Sequence, residues 1–219
     1  MQGSGKMAST TGQGSRIFSI GMSGDVEYGL LPALVRRLRL EAPGVMLRIQ
    51  RLEQQQLAEQ LKSGAVSVGL CYGKAAPADA HCVFLRQMRL KLLRCDSASG
   101  EIGLDEYCRR PHAVVSGSSD VTSHIDHELN RLGRSRRVEI SLSQFSSLPL
   151  LLAHSDLIST VPDYVAEAMV CGGGVRSQEL PLQLAPVELT LRWDPSTDDR
   201  TDERWLRNRL KLLLSDSDD

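Results

Sequence analysis

The residues of this chain best placed to do chemistry are hydroxyls, a carboxylate and an aromatic ring set where apolar runs end and helical patterns begin. Ser23, Gly24 and Asp25 follow the apolar run 17–22 and precede a helical pattern with Leu31, Leu34, Val35 and Leu38 on one face. A serine at such a junction can offer its hydroxyl and the amides after it to a carboxylate or similar anion. The same serine serves equally well as a helix N-cap. Ser116, Gly117, Ser118, Ser119 and Asp120 form a second junction of this kind, where Ser116 and Ser118 either meet a ligand or only shape the turn. Phe145, one of three phenylalanines, opens a further helical pattern; it can stack on an apolar or aromatic ligand, or join the core.

Other groups carry less. His124 and His127 lie three apart on one helical pattern, a spacing that could aim two imidazoles at a metal, but a solvated helix face accounts for it. His112 and His154 have no neighbouring nucleophile or carboxylate that would mark catalysis. Cys71 ends a strand with no sign of a lowered thiol pKa and is expected to be structural. Arg131, Arg134, Arg136 and Arg137 form a basic run that reads as solvated loop. No metal, cofactor or catalytic set is expected.

Those junctions require strands that feed helices. From Arg16 onward strand and helix alternate, the signature of sheets flanked by helices. Strands are expected over 17–22, 45–52, 66–70, 113–116, 138–142 and 157–161, with helices over 121–132, 145–153 and 163–171. Gly64 should end the helix after the second strand as a left-handed cap. The stretch 82–94 is too long for one strand, so its middle, near residues 87–90, reads as a crossover between two lobes. Pro181 and Pro186 suit an extended return over 180–187. Lobe 1 is then 16–87 with 188–219, and lobe 2 is 88–187. Residues 1–15, rich in Gly, Ser, Thr and Gln, read as a disordered leader of native or cloning origin.

Composition bounds the function classes. Apolar residues make 41% and charged residues 24% of 219, and no run is long enough to span a membrane. With 26 Lys and Arg against 27 Asp and Glu, the formal charge of −1 gives no general attraction to phosphate backbones. Five scattered cysteines without CxxC spacing, and a leader without an apolar core, fit a cytoplasmic protein.

The motifs IGMS followed by LLPALVRRLRLEAPGV, then LAEQLKSGAVSVGL, PHAVVSGSSDV, VEISLSQFSSLPLLLAHSDLISTVP and LTLRWDPSTDDRTDERWLRNRL, resemble in order and spacing the effector-binding domain of LysR-type bacterial transcriptional regulators. The resemblance covers about residues 16–214. It implies an α/β, two-lobed periplasmic-binding-protein-like (type 2) fold, each lobe a mixed, mainly parallel sheet flanked by helices. It also implies that Ser23 lines an effector cleft and that the helix start at Phe145 faces it. The chain departs from the family in reading Ser-Gly-Asp at 23–25, where aromatic-acid-responsive members commonly read Ser-Asp, and in carrying Ser67 where members often have Asp. The implied function is sensing of a small-molecule effector, a carboxylate or aromatic acid, held between the lobes and reported through lobe closure and dimer geometry. The effector would be met by Ser23, Gly24, Asp25, Ser116, Ser118 and Phe145. A homodimer is implied through the helix that carries Arg36, Arg37 and Arg39, with a tetramer in the full-length protein. DNA would be bound only through a winged helix-turn-helix ahead of this domain. The rival readings on the same fold are a solute-binding protein of a transporter and a transferase-like enzyme; no signal peptide and no nucleophile with its base favour either.

Overall fold

The computed structural model describes residues 16–52, 56–73, 80–95, 100–115 and 119–215. The chain divides into two compact units. Unit 1 holds the segments Met1–Met22, Leu31–Leu85 and Thr190–Asp219, and unit 2 holds Ser23–Leu30 and Arg86–Leu189. Each is described by itself.

Unit 1 begins with strand β1 (Arg16–Met22). The short helix α1 (Gly24–Gly29) follows and belongs to unit 2, and the chain returns as helix α2 (Leu31–Glu41) and strand β2 (Val45–Arg51). Helix α3 (Leu57–Lys62) leads through Gly64 into strand β3 (Val68–Tyr72). Gly64 has φ +71°, as the expected left-handed cap requires. Strand β4 (His81–Met88) leaves the unit, and the chain re-enters along strand β10 (Val187–Trp193) before ending in helix α8 (Thr201–Leu214). The sheet order is β2-β1-β3-β10-β4. β1 pairs parallel with β2 and with β3, so a helix must carry the chain across between them.

Position in the sheet explains the burial of each strand. β2 lies at an edge, and its Val45, Leu47 and Ile49 alternate with exposed Met46 and Arg48. β10 lies inside the sheet, so both of its faces are buried from Leu189 to Trp193. Its polar residues are tied off: Thr190 donates to the Cys71 carbonyl at 3.0 Å, and Arg192 donates to Thr190 Oγ1 at 3.2 Å and to the Gly73 carbonyl at 2.7 Å. Phe18 stacks on Trp205 with ring centroids 6.2 Å apart, packing α8 on β1.

In unit 2, strand β5 (Leu90–Arg94) is the middle of a three-stranded sheet. It pairs antiparallel with strand β8 (Ser159–Pro162) and with strand β9 (Arg176–Glu179). Strand β6 (Pro111–Val115) pairs parallel with strand β7 (Arg137–Leu142), and a parallel bridge joins His112 to Ile158. Helices α4 (Leu104–Arg109), α5 (Ser119–Arg131), α6 (Leu148–Ala153) and α7 (Asp163–Gly172) complete it. The long extended stretch breaks at Arg89, within the expected middle 87–90; the Arg89 amide donates to Asp163 at 3.2 Å while its carbonyl accepts from the Asp163 amide at 2.9 Å. Two features differ from the sequence reading. β9 and α4 appear where no element was expected. Residues 145–153 are a 3-10 turn, Phe145–Ser147, ahead of α6 instead of one helix. No helix among the described residues is long and apolar enough to cross a membrane.

The interior of unit 2 contains one group that titrates near neutrality in water. His112 is fully buried, its Nε2 donates to the Tyr107 carbonyl at 2.7 Å, and its ring meets the Tyr107 ring edge-on at 4.6 Å. Nδ1 is buried without a partner among the described residues, so a second proton there would be a charge without an acceptor. Burial pulls the imidazole pKa from 6.5 down to about 4. The folded state therefore refuses a proton that the unfolded chain accepts near pH 6.5. The associated stability is present above that pH and is lost as pH falls toward 4. At about 1.4 kcal/mol per tenfold change, the loss approaches about 3 kcal/mol. Urea unfolding from pH 7 to 4.5 is expected to show this decline, and His112→Gln, which keeps an N–H for the Tyr107 carbonyl, is expected to remove most of it. An identical pH slope in the two proteins would refute the assignment.

Candidate functional site

Ser23 ends β1 with extended backbone at φ −77°, ψ 162°, the geometry of an N-cap, yet its side chain makes no capping hydrogen bond. The residues after it form the short helix α1, with Val26 buried and with Asp25 and Glu27 in the first turn, where the helix dipole favours negative charge.

Asp25 is 2% exposed and accepts a hydrogen bond of 2.5 Å from the Tyr164 hydroxyl of α7. Burial raises its carboxyl pKa, while the Ser23 hydroxyl, Tyr164 and the amides of Asp25 and Val26 act against that rise. Burial also raises the Tyr164 phenol well above its ordinary value, followed by the charge of Asp25, so the shared proton stays on the phenol. The Arg86 guanidinium lies 5.8 Å from the centre of the Tyr164 ring and adds a cation to the cluster. Ser23 Oγ lies beside the Asp25 carboxylate but is buried without a hydrogen bond of good geometry. Asp25 itself therefore takes up the first amides of α1, and the Ser23 hydroxyl is the donor still to be used.

Aromatic surface adjoins this polar cluster. Tyr28 of α1 lies 6.2 Å from Phe145, centroid to centroid, at an interplanar angle of 40°. Phe145 is 4% exposed, so most of its ring is already core, and the half-buried Tyr28 presents the more accessible face. Ser23, Gly24 and Asp25 thus stand at the start of α1, and the turn that begins at Phe145 packs on the same helix through Tyr28, all within unit 2. Ser116 and Ser118 lie outside the described residues. Tyr28, Tyr164 and Arg86 belong to the cluster and were missed. Tyr164 is 139 positions from Asp25, and no local pattern marks such a partner.

The other candidates have structural partners. Burial pushes the Cys71 thiol up to about 12, which removes its thiolate at neutral pH. The basic run is matched internally, with Arg131 on Glu128 at 2.8 Å, Arg134 on Asp105 at 2.7 Å, Arg136 on Asp126 at 2.7 Å and Arg137 on Glu139 at 2.9 Å. Among the described residues no group of three or more His, Cys, Asp or Glu could hold a metal ion.

A family model described as the LysR substrate binding domain matches residues 11–213. The crystal structure of the regulatory domain of MexT, a transcriptional activator in Pseudomonas aeruginosa, superposes with a TM-score of 0.83 at 44% identity, covering 90% of this chain and 99% of that one. The HTH-type transcriptional activator NagR of Ralstonia sp is 24% identical over 206 residues, 93% of this chain and 68% of that protein. The HTH-type transcriptional activator NahR of Pseudomonas putida is 22% identical over 209 residues, 92% of this chain and 68% of that protein.

The packing of α1 on α7 yields a paired test. A Cβ on Gly29 would stand 2.5 Å from Tyr164 Cδ2 and 2.9 Å from the Tyr164 carbonyl oxygen, whereas one on Gly24 would meet nothing within 4 Å. Gly29→Ala is expected to lower stability by about 1–3 kcal/mol through overpacking, and Gly24→Ala to leave it within about 0.5 kcal/mol. Chemical denaturation of the two variants checks this, and equal midpoints would show that α1 does not press on α7.

Proposed function

Because the chain belongs to the LysR substrate-binding domain family and is the effector-binding domain of a LysR-type transcriptional regulator, we propose that its effector is a small organic acid bound at Ser23. The observation that supports this is the buried Ser23 hydroxyl, without a hydrogen bond of good geometry among the described residues, at the start of the helix whose Tyr28 meets Phe145. A ligand oxygen that accepts from this hydroxyl gains a hydrogen bond of good geometry that the protein does not otherwise make among the described residues. The carboxylate of Asp25 narrows the chemistry. An acid must approach from the Ser23 side, because Asp25 is already satisfied by Tyr164 and would repel a second carboxylate at its own oxygens. The ring of Tyr28 favours an acid with an apolar or aromatic body. Ser116 and Ser118 remain part of this proposal as further hydroxyls.

In this reading the protein is not an enzyme: it acts in the cytoplasm as a homodimer, tetrameric at full length, with DNA bound by a separate helix-turn-helix segment. Exposed Leu40 on α2 and Met46 on the edge strand β2, at 77% and 49%, supply apolar surface for a second subunit.

A thermal-shift screen of aryl and alkyl carboxylates is expected to find a stabilising ligand. Binding only to the native state adds about 2.7 kcal/mol at a hundredfold excess over Kd. Ser23→Ala is then expected to weaken that ligand by about 0.5–3 kcal/mol while leaving the unliganded midpoint nearly unchanged. A confirmed effector that keeps its affinity in both Ser23→Ala and Phe145→Ala would sink the assignment, and its chemical conversion by the protein would favour an enzyme.

A further inference from the structure

A cavity lined wholly by residues of unit 2 has neither Ser23 nor any residue of α1 in its wall. It has a volume of about 430 Å³ and is lined by the strand break Met88–Leu90, by the return segment from Glu179 to Val187, and by His124 of α5. That volume is in the range of small-molecule sites, as is a lining that is apolar apart from a few polar groups. Leu90, Leu182, Leu184 and Pro186 supply the apolar wall.

The polar groups have distinct roles. Glu179 is ion-paired with Lys91, so its charge is answered on the protein. His124 Nε2 is buried and makes no hydrogen bond among the described residues, although its imidazole lines the cavity. Arg89 is exposed, and its backbone is clamped on both sides by Asp163, which fixes where its guanidinium starts. Arg89 and His124 in an otherwise mainly apolar lining match a molecule with an anionic end and a hydrocarbon body. The two lining segments also lead directly into the points where the chain passes between units, at Leu85/Arg86 and Leu189/Thr190.

We propose that this cavity is a second ligand site, selective for a small aryl-alkyl carboxylate whose carboxylate meets Arg89 and His124 and whose hydrocarbon body lies against Leu182, Leu184 and Pro186. A ligand there restrains the return segment just before β10, a means of modulating the sensor independent of the effector at Ser23.

The probe is 4-phenylbutyrate, titrated into isotopically labelled protein and followed by amide and imidazole NMR, with 4-phenyl-1-butanol as the uncharged control. Saturable shifts confined to residues 88–90, 124 and 180–187 are expected. Loss of a charge-assisted contact in Arg89→Gln should weaken binding about tenfold or more, and the alcohol should bind weaker by a similar factor. His124→Phe, which keeps an aromatic ring without its nitrogens, should weaken it about threefold or more. Ser23→Ala should leave it unchanged, which separates this site from the proposed effector site. Absence of saturable shifts up to roughly 10 mM, a millimolar affinity being the weakest useful limit, would overturn the proposal. So would unchanged affinity in both Arg89→Gln and His124→Phe, or loss of binding in Ser23→Ala.

Discussion

A carboxylate removed from water must be paired, and the pairing of Asp25 with Tyr164 decides where the segment after β1 goes. β1 ends in unit 1 and α2 resumes there, yet α1 between them belongs to unit 2. Two contacts hold it: the 2.5 Å hydrogen bond from Tyr164 to Asp25, and the approach of Gly29 to the Tyr164 ring and carbonyl, which only a residue without a Cβ allows. The chain therefore passes between its units at four points, two of them bracketing α1. Any ligand that takes up the Ser23 hydroxyl does so at the first of these passages.

Much of the fold was legible because it rests on local patterns. The run 17–22, the helical face of Leu34 and Leu38, the cap at Gly64 and the alternation in β2 each follow from a period or a backbone requirement within a few residues. Elements created by distant partners were not legible. β9 reads Arg-Ser-Gln-Glu, with no apolar signal, and is a strand because β5 offers it an edge to pair with. α4 is six residues long with a single buried side chain, Tyr107, whose hydroxyl meets Thr160 of β8 at 2.9 Å. α1 is equally short, and a helix of that length owes its existence to packing and not to propensity.

The candidate site divides along the same line. Ser23 and Asp25 were marked by their place at the end of a strand, and Phe145 by the start of a helical pattern. What sequence could not supply was the chemistry between them: that Asp25 would use its own amides and Tyr164, and that Phe145 would be almost wholly core with Tyr28 beside it as the more accessible ring. A list of polar residues near a helix start suggests an anion-binding turn. What the geometry shows there is narrower: one buried hydroxyl beside a carboxylate already paired with Tyr164.

That narrowing bears on how a domain of this kind can sense anything. A ligand shifts a conformational equilibrium only by its difference in affinity for the two states, so the groups it touches must differ between them. Cys71, with its thiol held near pKa 12 by burial, and the basic run 131–137, matched internally by carboxylates, are poor candidates for such a change. Ser23 is a better one. Its hydroxyl makes no hydrogen bond of good geometry among the described residues, and it sits where the chain leaves unit 1 for α1. A hydrogen bond to a charged group contributes about 1.5–3 kcal/mol, within the range of about 1–3 kcal/mol at which allosteric couplings are typically found. One hydrogen bond from Ser23 to a ligand carboxylate, as proposed, would therefore be sufficient in magnitude for such a coupling.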